Sequence, residues 1–288
     1  MLETARVLIV GAGGLGCEVL KNLFLKRVAF IDLIDMDTIE LSNLNRQFMF
    51  SLKDIGRAKA EVAAEWILER FPYYRDRIRF HIGRIEDQSD AFYSQFHLIV
   101  SALDSIEARR WLNAKIVNLS RESPIPLVDG ASEGFKGHVR LVIPSVTACI
   151  ECMSGLYADE GRVPLCTLSG SPRNLEHCLE WVLFTDEESP IEAILEKTRQ
   201  RAMDFGIDAS RLDAKLIEDF TKRVVPSLAS TNSIIGGIAS QMVVKALSGP
   251  LKAGENNFYF YNGAEGIHLA RLSVDRLEDC YVCFTRTS

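Results

Sequence analysis

Apolar and polar positions follow two rhythms along this chain, and the change between them divides it. The run Val7-Leu8-Ile9-Val10 is continuous, short and β-branched, which predicts a buried strand rather than a helix. A helical pattern over 15–24 follows, then a strand over 28–35 and a helix through Trp66 and Ile67. Strands over 78–82 and 96–102 and a helix through Arg109, Trp111 and Ile116 continue the series. Such alternation predicts an α/β fold with a doubly wound, mostly parallel sheet and ligands at the strand C-terminal ends. After a short strand at 126–130 and another over 138–143, the strands stop. Helices are expected over 175–183, 191–205 and 213–225, with Asp208-Ala209-Ser210 as a helix start. The first rhythm returns with a helix over 231–247, where Gly236 and Gly237 permit close packing, and a strand pair at 257–261 and 267–272. The expected organisation is a Rossmann-like domain of 1–153 plus 226–288, interrupted by a helical insertion at 154–225.

The first strand runs into Gly11-Ala12-Gly13-Gly14-Leu15-Gly16 and then a helix, the context that a G-x-G-x-x-G phosphate turn requires. Asp35 ends the second strand at the spacing suited to a ribose hydroxyl. The glycines and Asp35 alone leave a dinucleotide-dependent oxidoreductase open. The loop after Asp35 carries Asp37, Asn43, Asn45, Arg46, Gln47 and Lys59, a density of hydrogen-bonding groups beyond an ordinary connection. Arg46 and Lys59 downstream of a phosphate turn suit a polyphosphate, Arg as a fork and Lys as a point charge. Asp104, at another strand end, suits magnesium, which binds through one or two carboxylates plus phosphate oxygens. It also suits a helix N-cap.

Composition narrows the picture. The 288 residues have a formal net charge of −6 and 47% hydrophobic content, enough for a sizeable core and no electrostatic attraction to nucleic acid or an anionic membrane. No run approaches the roughly 18 apolar residues of a membrane span, and Met1 leads almost directly into the first strand, so no signal peptide is expected. The expected compartment is reducing, cytoplasmic or nuclear. Of seven cysteines, Cys149 with Cys152 and Cys280 with Cys283 have C-x-x-C spacing. Two such pairs predict a structural four-thiolate zinc site, with redox chemistry the competing reading of either pair alone. Cys17 and Cys178 fall in helical apolar patterns and read as core. Cys166 stands in a polar Gly- and Ser-containing stretch where a substrate could reach a thiol, with Arg173 and His177 candidates to tune it.

The segments GAGGLGCEVLKNL, IDMDTIELSNLNRQF, DIGRAKA, ALDSIEARRW, DGASEGFKGHVR, TACIEC and PLCTLSGSPRNLEHCLEW resemble the catalytic subunits of the neddylation (Rub-type) activating enzymes, within the ubiquitin-activating superfamily. The resemblance runs from Val7 to Cys283. It implies ATP held at Gly11–Gly16 with Ala12, Gly13 and Gly14 in the turn, Asp35 on the ribose, and Asn43, Arg46 and Lys59 on the phosphates. Asp37, Gln47 and Leu103 complete the implied nucleotide contacts, and Asp104 would hold magnesium. Zinc would sit on the four paired cysteines. Cys166 would be the thioester nucleophile with Thr167 beside it, and Arg140 would help select the modifier. Implied partners are a ubiquitin-like modifier, a catalytically silent regulatory subunit of the same fold as heterodimer, and a conjugating enzyme. A C-terminal ubiquitin-fold domain is not expected in a chain that ends soon after Cys283. The alternatives are an enzyme for SUMO or another ubiquitin-like protein, a bacterial-type adenylating homodimer, and a non-enzymatic scaffold.

Overall fold

Eight strands lie in one sheet: β1 (Arg6–Val10), β2 (Phe30–Asp35), β3 (Ile78–Ile82), β4 (Leu98–Ser101), β5 (Leu127–Glu133), β6 (Lys136–Val142), β7 (Phe258–Asn262) and β8 (His268–Leu272). Their order is β3-β2-β1-β4-β5-β6-β7-β8. The computed structural model describes residues 2–120, 123–156, 172, 174–186, 189–221, 227–249 and 257–284. From β3 to β5 every neighbour is parallel, and from β5 to β8 every neighbour is antiparallel.

Alternation along β1 builds the two cores. Val7 and Ile9 pack on one face with α1 (Gly14–Leu25), α2 (Lys59–Arg70) and a long helix near the end of the chain, Ala229–Ser248. Leu8 and Val10 pack on the other face with Tyr93 of α3 (Asp90–Ser94) and Leu112 and Ile116 of α4 (Ile106–Leu119). A parallel sheet covered on both sides explains why β1 and β4 are apolar runs rather than alternating ones.

Two strand boundaries differ from expectation for local reasons. Strand β2 begins at Phe30 and not at 28, because Arg27 takes φ 58° and the Val28 N–H closes a turn onto the Leu23 carbonyl at 3.2 Å. The strand expected at 126–130 continues to Glu133 and turns directly into β6. Gly134, at φ 51°, makes the two-residue loop that sets Glu133 opposite Lys136.

The chain divides by contact into two units, 1–156 with 227–288, and 157–226. In the smaller unit, α5 (Leu175–Thr185), α6 (Ile191–Asp204) and α7 (Ala214–Thr221) share a core that includes Leu175, Cys178, Leu179, Val182, Ile194, Ala202 and Ile217. Asp208 does not start a helix: its carboxylate accepts from the Ser210 N–H at 2.9 Å in a local turn. Asp213 caps α7 instead, accepting from the Leu216 N–H at 2.7 Å. Residues 222–225 of the expected third helix lie outside the described residues.

Helix α8 (Ala229–Ser248) lies along α1 in the larger unit. At Gly236 a Cβ would come within 2.6 Å of the Glu18 Cβ, so this glycine allows the approach, whereas Gly237 faces open space. No helix among the described residues is long and apolar enough to cross a membrane.

Candidate nucleotide site and four-cysteine cluster

The turn after β1 is shaped by what a side chain would hit. Gly11 takes φ +98°, and a Cβ there would lie 2.6 Å from the Ala102 carbonyl oxygen. At Gly16 a Cβ would fall 1.9 Å from the Gly11 oxygen, and at Gly14 it would lie 2.4 Å from the Asn232 Nδ2. Gly13 is different: its nearest neighbour is the Gln47 Nε2 at 3.9 Å. No side chain caps α1 at Gly13, so the first N–H groups of the helix are left for an anion.

Asp35 closes the site from β2. Its Oδ2 accepts from the Ala12 N–H at 2.6 Å and its Oδ1 from the Asp37 N–H at 2.7 Å. Burial pushes this carboxyl up, with the two N–H donors opposing. Each oxygen keeps lone-pair capacity for a ribose hydroxyl. A single antiparallel bridge, Thr38 to Ala58, folds the following loop back on itself. It brings Lys59 to Asp37, and the buried Lys59 Nζ donates to the exposed Asp37 carboxylate at 2.9 Å.

Asn43 is buried in a 3-10 turn, Leu41–Asn43, where its Oδ1 accepts from the Glu40 N–H at 3.0 Å. Arg46 is half-buried and donates to the Ser42 carbonyl at 2.8 Å and the Asn45 Oδ1 at 3.0 Å. The Gln47 Oε1 is buried without a hydrogen-bond partner among the described residues. The glycine turn, Asp35, the buried ammonium and this unmet amide oxygen fit a nucleotide.

Asp104 follows β4 and is exposed, with no hydrogen bond or ion pair among the described residues. It is not the N-cap of α4. Ser105 is, its hydroxyl accepting from the Ala108 N–H at 3.3 Å. A carboxylate free at a strand end beside the glycine turn fits magnesium. The Leu103 carbonyl beneath it accepts two hydrogen bonds from the buried Arg109 guanidinium. Asp129, at the end of the part of β5 that pairs with β4, lies behind Arg109.

The four cysteines of the C-x-x-C pairs converge. All are buried and unbridged, and their sulfurs lie within 4.8 Å of one another. Cys149 is 3.9 Å from Cys152 and 3.7 Å from Cys280, and Cys152 is 3.4 Å from Cys283. Four thiolates at about 2.3 Å around a tetrahedral zinc ion stand about 3.8 Å apart, so the cluster fits that metal. Burial pushes the Cys149 and Cys152 thiols up, and a cation at the centre is what would hold them ionised. Outside the sulfurs, Arg110 donates to Glu151 at 2.7 Å and to the Tyr281 hydroxyl at 2.9 Å, tying the two cysteine segments together. Arg110 and Tyr281 had no periodic signal to mark them.

Arg140, which the resemblance implied in modifier selection, lies on β6. It is fully buried, its Nε stands 3.1 Å from the Asp129 Oδ2, and its Nη2 lies 2.7 Å from the His138 Nε2. The guanidinium has no exposed surface in the chain by itself. Cys17 and Cys178 are buried as expected, and burial pushes both thiols up. Cys166, Thr167 and Arg173 lie outside the described residues, while His177 is buried in α5. Asp129, Arg109 and Asn232 are polar groups that sequence reading passed over. For Asp129 a signal existed: an acid at a strand end, as at Asp35 and Asp104.

A glycine turn, an acid at the end of β2 and an exposed carboxylate after β4 on a doubly wound sheet suit a nucleotide, and the chain belongs to the ThiF family, whose model matches residues 1–282. Within it, the chain is 40% identical over 298 residues to the NEDD8-activating enzyme E1 catalytic subunit of Saccharomyces cerevisiae, covering 98% of this chain and 99% of that one. It is 39% identical to the corresponding subunit of Dictyostelium discoideum, covering 97% of this chain and 68% of the relative. The crystal structure of E. coli MccB with succinimide shares the fold, with a TM-score of 0.62 at 21% identity over 99% of this chain and 67% of that one.

Proposed function

We propose that this chain activates a NEDD8-type ubiquitin-like protein by adenylating its C-terminal glycine, capturing the acyl group on Cys166 and passing it to a conjugating enzyme. The observation that carries the reading is the 40% identity, along nearly the whole of both chains, to a NEDD8-activating E1 catalytic subunit. The site geometry supports it. The turn amides and Asp35 hold the phosphates and ribose, while Lys59 and Arg46 supply positive charge where charge builds up. Asp104 would hold magnesium, which would supply positive charge for the departing pyrophosphate.

The modifier's carboxylate oxygen attacks the α-phosphorus, the bond to pyrophosphate breaks, and an acyl-adenylate forms. The Cys166 sulfur then attacks the carbonyl, AMP leaves, and the thiol proton is released. The 1–153 plus 226–288 segment is read as the adenylation domain and 154–225 as the catalytic-cysteine domain. Met36, Leu41, Leu52 and Ile55, exposed apolar side chains on the stretch between Asp35 and Lys59, support a regulatory subunit that covers this stretch.

The test uses the chain copurified with its partner, ATP, magnesium and NEDD8. A reductant-sensitive adduct that Cys166→Ala abolishes, with ATP–pyrophosphate exchange retained, is the expected result. Exchange without any adduct favours a bacterial-type adenylating enzyme. No exchange at all overturns the proposal.

A further inference from the structure

Between the glycine turn and β6 lies a buried ionic group that the adenylation chemistry does not directly use. Asp129 is fully buried at the centre of it. The Arg140 Nε stands 3.1 Å from its Oδ2, the Arg109 Nε 3.9 Å from its Oδ1, and the His138 Nε2 3.9 Å from its Oδ2. The carboxylate acts chiefly as a fixed charge, and the Ser101 hydroxyl on the neighbouring strand also favours its ionised form. Burial opposes that charge, and Arg109 and Arg140 outweigh it, holding the carboxyl below its usual range.

Arg109 turns this charge into a constraint. Its guanidinium is buried and forks onto one oxygen, the Leu103 carbonyl, with Nε at 2.7 Å. The Leu103 carbonyl and the Asp104 N–H belong to one planar peptide unit. Fixing the oxygen therefore fixes the plane from which the Asp104 side chain springs. Nothing else regular holds that peptide: β4 ends at Ser101 and α4 begins at Ile106. Its neighbour Ala102 is pinned against Gly11, where the missing Cβ leaves room for the Ala102 oxygen.

We infer that Asp129 is a positioning residue for the nucleotide–metal turn: through Arg109 it fixes the Leu103–Asp104 peptide so that the Asp104 carboxylate faces the magnesium of bound ATP. This rests on the adenylation reading of the site. Asp129 touches neither nucleotide nor metal. Its place on β5, one strand from Asp104 and paired in register with Ser101, lets a charge in the interior set the direction of a carboxylate at the surface.

Asp129→Asn removes the charge at nearly constant volume, and Arg109→Lys keeps a charge but loses the fork. Two measurements on the copurified complex decide the matter. Amide hydrogen exchange over 102–106 is expected to rise about tenfold in both variants, the scale of a charge-assisted hydrogen bond losing its orientation, with 7–10 unchanged. The magnesium concentration giving half-maximal ATP–pyrophosphate exchange is expected to rise by about tenfold, with the rate recovered at saturating metal. Unchanged exchange at 102–106 in either folded variant overturns the inference. So does loss of protection at 7–10 as well, which marks a merely structural role. If Asp129→Asn does not fold, Arg109→Lys alone decides. If the parent protein shows no pyrophosphate exchange, the adenylation reading fails, and hydrogen exchange still decides whether Asp129 orders the turn.

Discussion

At the glycine turn, six consecutive residues shape the cradle, and at Gly11 and Gly16 what a side chain would strike is backbone. At the cysteine cluster, four side chains meet from two segments, with Cys149 and Cys280 separated by 131 positions. The first site is made by leaving atoms out: a Cβ at Gly16 would fall 1.9 Å from the Gly11 oxygen. The second is made by bringing atoms together until the charge they carry needs a cation. A local site made by absence fails when anything is added to it. A long-range site made by convergence fails when a ligand is removed, and its failure frees a whole segment.

The largest effect should come from the cluster. Cys280→Ser is expected to lose bound zinc, from about one ion per chain to a small fraction, and to lower the melting temperature by roughly 10 °C. Metal analysis and thermal unfolding check it. Zinc content equal to the parent's would break the comparison on the cysteine side.

At the turn, Gly16→Ala is expected to cost about 3 kcal/mol, because the backbone it would strike cannot yield like a flexible side chain. Denaturant unfolding measures that. Gly13→Ala provides the contrast, since its Cβ would meet nothing closer than 3.9 Å. It should leave stability nearly unchanged yet weaken ATP binding, by calorimetry, because the methyl group intrudes where phosphate approaches. Equal destabilisation by the two substitutions would show that the turn is not shaped by this contact.

The antiparallel half also carries an acid sensitivity. His138 lies stacked on Phe258, and burial, with the nearby Arg140 cation, pulls its pKa down to about 3. In the unfolded chain it titrates near 6.5. Below about pH 6.5 the unfolded state takes up a proton that the folded state refuses, so stability falls as pH falls from there toward 3, by at most about 1.4 kcal/mol per unit. His138→Gln should flatten the fall in unfolding free energy between pH 6.5 and 5, and an unaltered slope assigns it elsewhere.

The smallest effect separates two adjacent glycines of α8. Gly237→Ala, which meets nothing within 4 Å, is expected to stabilise by about 0.5–1 kcal/mol. Gly236→Ala, meeting the Glu18 Cβ at 2.6 Å, should destabilise, and thermal unfolding of both variants reads the sign.

Much of this was legible along the chain. The apolar run of β1 and the glycine spacing marked a strand, a tight glycine turn and a helix, because the three are contiguous and each has a local signature. The place of Asp35 at the end of β2 was legible for the same reason. The two C-x-x-C pairs suggested one metal through composition and spacing, though convergence itself is a property of the sheet that carries them. Legibility ended where a role depended on direction. Arg140 stands in a motif that implied a part in modifier selection, and only the structure shows that β6 turns it inward onto Asp129. Asp104 and Ser105 are adjacent and both suit an N-cap; the backbone gives the cap to Ser105 and leaves Asp104 free.

Sequence alone determined most of the alternation of strands and helices, though not α3, and the glycine turn and the identity of the charged and thiol groups, because these follow from side-chain size, period and backbone freedom over a few residues. Tertiary structure decided which of those groups meet. Parallel pairing set Asp129 beside Ser101, one strand from the turn that holds Asp104, and antiparallel pairing turned Arg140 inward. Such meetings depend on register and burial between segments distant in the chain, and no local pattern encodes them.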